Sequence, residues 1–255
     1  MNALSAHPSL RGRRILVTRA AAQAAATAQE ITRRGGVPVS FPCLAVECLA
    51  DNIRKAMPLM KTEGAEAAFS STNGVRCVAE TMGRDFAGIL QHMRVAAVGN
   101  RTATALRRHD IRPAIIPEVH SQDGLIKAYA EHGMPRTLVF FRAKEGREAL
   151  AAALRRQGVT VHTIACYRTI CPQDDATPVI NELKNGHIDA VLIGSAKTAR
   201  HFKERIGDAA IANQAVIAVI SPQVATAARD LGLDVQIVAK EASFASMLDG
   251  LAAHF

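Results

Sequence analysis

Hydroxyl-bearing and cationic residues recur at one kind of position in this chain, directly after short apolar runs. Thr18 and Arg19 follow the run 15–17, and Ser71, Thr72 and Asn73 follow 65–70. Gly99, Arg101 and Thr102 follow 95–98, Ser121 follows 114–116, and Arg142 and Lys144 follow 137–141. Ser195, Ala196 and Lys197 follow 190–193, and Ser221 and Gln223 follow 216–220. Each group opens a helical pattern. The first turn of a helix has N–H groups without intrahelical partners, and such a turn holds carboxylates or phosphates without a metal. One terminus is worth about 0.3–1 kcal/mol to an exposed anion, so a polyanion needs several. The same Ser, Thr and Asn residues also serve as plain helix caps.

Nucleophilic machinery is scarce. There is no G-x-x-x-x-G-K-[ST] and no G-x-G-x-x-G after a strand. No G-x-S-x-G elbow is present, and no His/Cys/Glu group has metal-ligand spacing. The first strand is followed by Thr18 and Arg19, where a phosphoacceptor site needs acids. His162 lies in a strand pattern, where packing or solvation accounts for it. Tyr167 stands apart as one of two tyrosines. It lies in V-T-V-H-T-I-A-C-Y-R-T-I-C-P, 159–172, which begins as a strand and runs on where its neighbours turn.

The elements that position these residues are short β-branched runs alternating with helical patterns, the mark of parallel βαβ architecture. Strands are expected at 15–17, 37–41, 65–70, 95–98, 114–116, 137–141, from 159, and at 190–193, 216–220 and 235–238. Helices are expected between them, among them 51–61 interrupted at Pro58 and 145–157 ended by Gly158. Four blocks repeat. L-V-T-R-A (16–20) matches V-F-F-R-A (139–143), and R-R-G-G-V-P-V (33–39) matches R-R-Q-G-V-T-V (155–161). Ser71 matches Ser195, and V-A-A-V-G (95–99) matches I-A-V-I-S (217–221). The nearly constant offset indicates an internal duplication of an α/β unit, giving two lobes and a cleft.

The bulk properties are those of a globular protein, 255 residues with 49% hydrophobic and 21% charged. No apolar run approaches the roughly 20 residues that span a bilayer, and the basic N-terminus lacks the apolar core of a secretory signal. A cytoplasmic protein is expected. Its net charge of +8 fits either an anionic partner or a solubility charge. The arginine doublets 33–34, 107–108 and 155–156 close helices and complement their dipoles. With 4% aromatics and no Trp, neither a nucleic-acid stripe nor a stacking platform is present. The five cysteines are expected as free thiols of a reducing compartment. Cys43/Cys48 and Cys166/Cys171 share a spacing of five, which on a strand faces opposite sides and cannot chelate one ion.

L-V-T-R, F-S-S-x-N-G-V, V-G-x-x-T-A, F-x-R-A-x-x-G-R-x-x-L and C-Y-R-T, in this order from Arg13 onward, resemble the uroporphyrinogen-III synthase family. The resemblance implies two similar flavodoxin-like parallel-sheet domains joined by two crossing strands. The domains are interleaved: 1–42 with 172–255, and 43–171 with a linker strand at each end. It implies a cofactor-independent lyase that cyclises hydroxymethylbilane, an anionic linear tetrapyrrole, with inversion of ring D through a spiro intermediate. Tyr167 takes the place of the family's candidate proton donor, and the residues after the strands become substrate contacts. An amphipathic tyrosine packing at a domain interface is the simpler account. Two departures stand out: the second copy of V-G-x-x-T-A reads Ile220-Ser221-Pro222-Gln223-Val224-Ala225 and lacks the threonine, and Ser195-Ala196-Lys197 replaces Ser-Pro-Ser. The resemblance further implies a monomer, with at most a transient contact with the preceding enzyme, and no nucleic-acid or membrane partner. The rival reading is a non-catalytic two-lobed binding protein for a small polyanion.

Overall fold

The computed structural model describes residues 9–255. The chain divides into two compact units, Met1–Ala45 with Ile170–Phe255, and Val46–Thr169. The backbone therefore passes between them twice, at 45/46 and at 169/170.

The first unit opens with β1 (Arg14–Val17), α1 (Ala21–Arg33) and β2 (Val37–Ser40). In the second come β3 (Ala45–Cys48, which starts on the last residue of the first), α2 (Ala50–Met60), β4 (Ala65–Phe69), α3 (Thr72–Met82) and α4 (Asp85–Leu90). It continues with β5 (Val95–Ala97), α5 (Asn100–Arg107), α6 (Gln122–His132), β6 (Thr137–Ala143), α7 (Ala149–Arg156) and β7 (Thr160–Ile170). The first unit resumes with α8 (Thr177–Lys184), β8 (Ala190–Ile193), α9 (Ala196–Ile206), α10 (Ala209–Ala212) and β9 (Val216–Val219). It ends with α11 (Pro222–Arg229), β10 (Val235–Val238) and α12 (Phe244–His254).

The first sheet runs β10-β9-β8-β1-β2 and the second β3-β7-β6-β4-β5. Every pair in the first sheet is parallel, and so are β7-β6, β6-β4 and β4-β5. The order of the first is the 2-1-3-4-5 of flavodoxin-like folds. When the repeated blocks are laid over one another, β6 takes the place of β1, β7 of β2, β4 of β8 and β5 of β9. These four strands then run in one order in both sheets, with β10 added at one edge of the first and β3 at the opposite edge of the second.

Strands covered on both faces read as continuous apolar runs, and successive side chains part to opposite sides. Leu16, Val191, Ile193, Ile217 and Val219 pack on one face of the first sheet, and Ile15, Val17, Ala190, Leu192 and Ala218 on the other. In the second, Ala67, Phe69, Val139 and Phe141 face one layer of helices, and Ala68, Leu138 and Phe140 the opposite one.

Some local expectations fail for identifiable reasons. The strand at 114–116 reduces to one bridge, Ala96 to Ile115, because Pro113 and Pro117 supply no N–H to a longer ladder. Pro58 does not interrupt α2; it falls in the last turn, and Lys61 and Thr62 close the helix on the carbonyls of Pro58 and Leu59. The helix expected at 145–157 begins at Ala149, since the preceding residues form a loop around Arg142. The expectation of five free thiols is overturned: Cys48 and Cys77 are joined by a disulfide with Cα atoms 5.3 Å apart. The spacing argument considered pairs within one strand, whereas these cysteines belong to β3 and α3.

Gly124 illustrates how tightly the helix starts are set. A Cβ built there would lie 2.0 Å from the Val119 carbonyl oxygen, so backbone must move. Gly124→Ala should cost about 1–3 kcal/mol, read as a lower midpoint in urea unfolding.

Candidate functional site at the carboxyl edges of the sheets

Because the strands are parallel, the segments that follow them lie at one edge of each sheet, where α/β folds bind ligands. Five helices there start in the same way. Ser71, Ser121, Ser195, Ser221 and Ser243 are extended N-cap residues whose hydroxyl oxygens accept from the N–H three residues on. Each hydroxyl satisfies one orphan donor, and the rest of the turn is left for water or an anion.

Tyr167 occupies this edge of the second unit through an irregularity in β7. Arg142 of β6 pairs with Ala165, but Ala143 pairs with Tyr167, so Cys166 is an extra residue. Such a bulge re-aims the side chain that follows it. In unbroken register Cys166 would have held the Tyr167 position. The Cys166 side chain is fully buried, with its thiol 3.3 Å from the Arg142 carbonyl oxygen. The Tyr167 hydroxyl lies 2.8 Å from Ser71 Oγ, and Asn73 also hydrogen-bonds it. Burial raises the phenol pKa above its ordinary value, while the bonds from Ser71 and Asn73 lower it, with a net upward shift. Ser71 Oγ accepts from Gly74 N–H at 3.2 Å. If Ser71 donates its own proton to Tyr167, the phenol proton is left for a ligand. A Cβ at position 74 would lie 3.4 Å from Cys166 Sγ, an ordinary van der Waals contact, so α3 starts beside the bulge.

The family profile described as Uroporphyrinogen-III synthase HemD matches residues 25–249. The chain belongs to the uroporphyrinogen-III synthase family. Members of this family are cofactor-independent cyclising lyases of porphyrin biosynthesis. A uroporphyrinogen-III synthase of Synechococcus elongatus is 26% identical over 261 residues, covering 96% of this chain and 95% of the relative. One from Chlorobaculum parvum is 26% identical over 230 residues, covering 88% and 92%. Among solved structures, the Helicobacter pylori uroporphyrinogen-III synthetase superposes with a TM-score of 0.59 at 15% identity, over 95% of this chain and 100% of the other. A mutant of the Thermus thermophilus synthase gives 0.53 at 19%, over 95% and 99%. These two show the shared fold.

The residues expected to meet the uroporphyrinogen-III synthase substrate divide by what they touch. Ser71, Thr72, Asn73 and Tyr167 are gathered around the start of α3, and Gly99, Arg101 and Thr102 around that of α5. Ser121 caps α6, and Lys144 is exposed, with its N–H donating to the Tyr167 carbonyl at 2.8 Å. In the first unit, Ser195, Ala196 and Lys197 begin α9, and Ser221 and Gln223 begin α11. Arg19 lies over the Phe244 ring at 4.1 Å and bonds the neutral side chains of Thr27 and Gln23. It makes no ion pair among the described residues.

Two others are employed elsewhere. Thr18 is fully buried and donates to the Leu192 carbonyl at 2.5 Å, tying β1 to β8. Arg142 is also buried, and its guanidinium donates to the carbonyls of Ala143, Lys144 and Gly146 and to Glu148. It organises the loop before α7. Ser243, which caps α12, and Phe244, whose ring carries Arg19, were not among the residues expected at the site, because no local pattern joins residues so far apart.

Ser71→Ala removes both the α3 cap and the partner of Tyr167. A loss of about 1 kcal/mol is expected in a thermal melt, with a several-fold larger fall in product than Thr72→Ala causes.

Proposed function

We propose that this chain closes hydroxymethylbilane with inversion of ring D, with Tyr167 hydrogen-bonding the departing hydroxyl. The observation that carries this reading is the phenol on the β7 bulge, 2.8 Å from Ser71 at a helix start. Loss of the terminal hydroxyl as water, using one proton, leaves an azafulvenium cation. The substituted carbon of ring D attacks that cation and forms a spiro intermediate. Cleavage of the original methylene bond to that carbon, then re-closure at the free α carbon of ring D, places the ring in the inverted sense, and the proton on that α carbon is released. The net change is loss of one water.

The chain's own contribution is positional. A linear tetrapyrrole has many conformers, and holding one of them makes closure effectively unimolecular. In the second unit, carboxylates suit the starts of α3 and α5, with Arg101 and Lys144 adding charge; in the first, they suit the starts of α9 and α11, with Arg19 adding charge. A neutral phenol is also the form needed: tyrosine has an ordinary pKa of about 10, and burial raises it here. We take the protein to act as a monomer that receives its unstable substrate from the enzyme that makes it, in transient contact or none.

The deciding experiment supplies hydroxymethylbilane and resolves the porphyrin isomers after oxidation. Isomer III in excess supports the proposal; isomer I alone, at the spontaneous rate, removes it. A pH–rate profile tests the donor. Because the folded pKa of Tyr167 is raised, the protonated form persists through neutrality. Both its activity and its stabilising contribution should be lost only as pH rises through that pKa, above the ordinary value of about 10. Tyr167→Phe should lack this alkaline fall.

A further inference from the structure

We propose that in its reduced form the chain binds a thiophilic divalent cation, with Zn²⁺ as the type case, through Cys48, Cys77 and Glu80. The sulfur atoms of the two cysteines and a carboxylate oxygen of Glu80 all lie within 4.8 Å of one another. Donors that share a tetrahedral ion with bonds of about 2.0–2.3 Å lie roughly 3.3–3.8 Å apart, so small rotations suffice. Cys77 and Glu80 are three residues apart on α3 and project on one side. Cys48 reaches them from the end of β3, with its Sγ 3.6 Å from Glu80 Oε2.

The surroundings suit such an ion. Two thiolates and a carboxylate around a divalent cation leave one negative charge, and Arg76 already pairs with Glu80 at 2.9 Å. Cys77 is fully buried, Cys48 half-buried and Glu80 exposed. One side of the site therefore faces solvent, where water completes the coordination. The other cysteines do not compete. Burial pushes the thiols of Cys43 and Cys166 up to about 12, and Cys171 lies against the His201 carbonyl.

Disulfide and cation exclude each other, since both use the same two sulfurs. An external phosphine or dithiol supplies two electrons, two protons complete the thiols, and the reductant is oxidised. Binding of Zn²⁺ then releases those two protons without any change in oxidation state.

The test uses the full chain reduced with a phosphine, freed of it under anaerobic conditions, and titrated with Zn²⁺ against a metallochromic indicator. Reduced protein should retain about one equivalent and oxidised protein none. Glu80→Gln should weaken retention by at least about tenfold, and Cys171→Ser should leave it unchanged. Cys77 is a core residue, so Cys48→Ser, at a half-buried position, provides the same loss if Cys77→Ser fails to fold. Co²⁺ in place of Zn²⁺ should give thiolate-to-metal charge-transfer absorption. Retention by Cys48→Ser equal to that of the reduced parent, or Co²⁺ binding without that absorption, overturns the proposal. Neither readout depends on turnover of the bilane.

Discussion

Tyr167→Phe is expected to lower the rate of isomer III formation by about 100-fold, the lower part of the range for a positioned proton donor, with an unchanged melting curve. The phenol is 8% exposed and packs in the core of the second unit. Phenylalanine keeps that packing and removes only the hydroxyl. The cost to the fold is small because its partner, Ser71, retains the bond from Gly74 N–H. Isomer I should form at the spontaneous rate in both proteins, so the ratio of isomers separates lost catalysis from lost protein. Unchanged isomer III turnover would remove Tyr167 from the mechanism and leave it as a packing residue. A matching fall in kcat with little change in KM is the expected signature, since the bond strengthens as the hydroxyl leaves.

The largest effect on stability is expected at Phe141. Its ring stacks on Phe69 with centroids 4.9 Å apart and an interplanar angle of 18°, and both side chains are fully buried. Phe69 also meets Phe86 edge-on at 6.3 Å, so truncation opens a cavity in a three-ring cluster. Phe141→Ala should cost about 3–5 kcal/mol, measured as a fall in the unfolding free energy in urea. Phe141→Leu keeps most of the volume and should cost less than about 1.5 kcal/mol. The Phe141 carbonyl accepts from Ser70 N–H at 3.0 Å, directly before the α3 cap. A mutant that still folds should therefore lose some isomer III activity below its melting temperature, while Phe141→Leu should not.

Much of this architecture was legible in the residues because parallel strands need apolar side chains on both faces. Runs such as Ile15–Val17 and Val191–Ile193 announce themselves, and each is followed by a residue that caps a helix or turns the chain. The serine caps were readable for the same local reason. What escaped the sequence reading depends on contacts between distant elements. Nothing near Cys48 points to Cys77, and nothing near Arg142 tells that its guanidinium folds back onto Gly146. The extra residue at Cys166 was visible only as a strand that overran, since a bulge is defined by the partner strand. Arg19 stands on Phe244, and that support comes from the last helix. Thr18 and Arg142 had suitable chemistry at suitable positions, and it is burial that redirects them.

The double passage between units sets an order of events during synthesis. Arg13 bonds Asp189 across 176 residues of sequence, and β1 has its neighbour β8 only when that later segment has been made. At about 5–20 residues per second this leaves β1 and β2 waiting roughly 10–35 s. The inserted unit, 46–169, emerges as one uninterrupted stretch and is free to fold in that interval. The nascent first unit meanwhile presents an apolar, parallel strand pair with an open edge, a template for wrong pairing. Conditions that slow elongation between β2 and β8 should therefore favour aggregation of this chain more than conditions that slow it after β8.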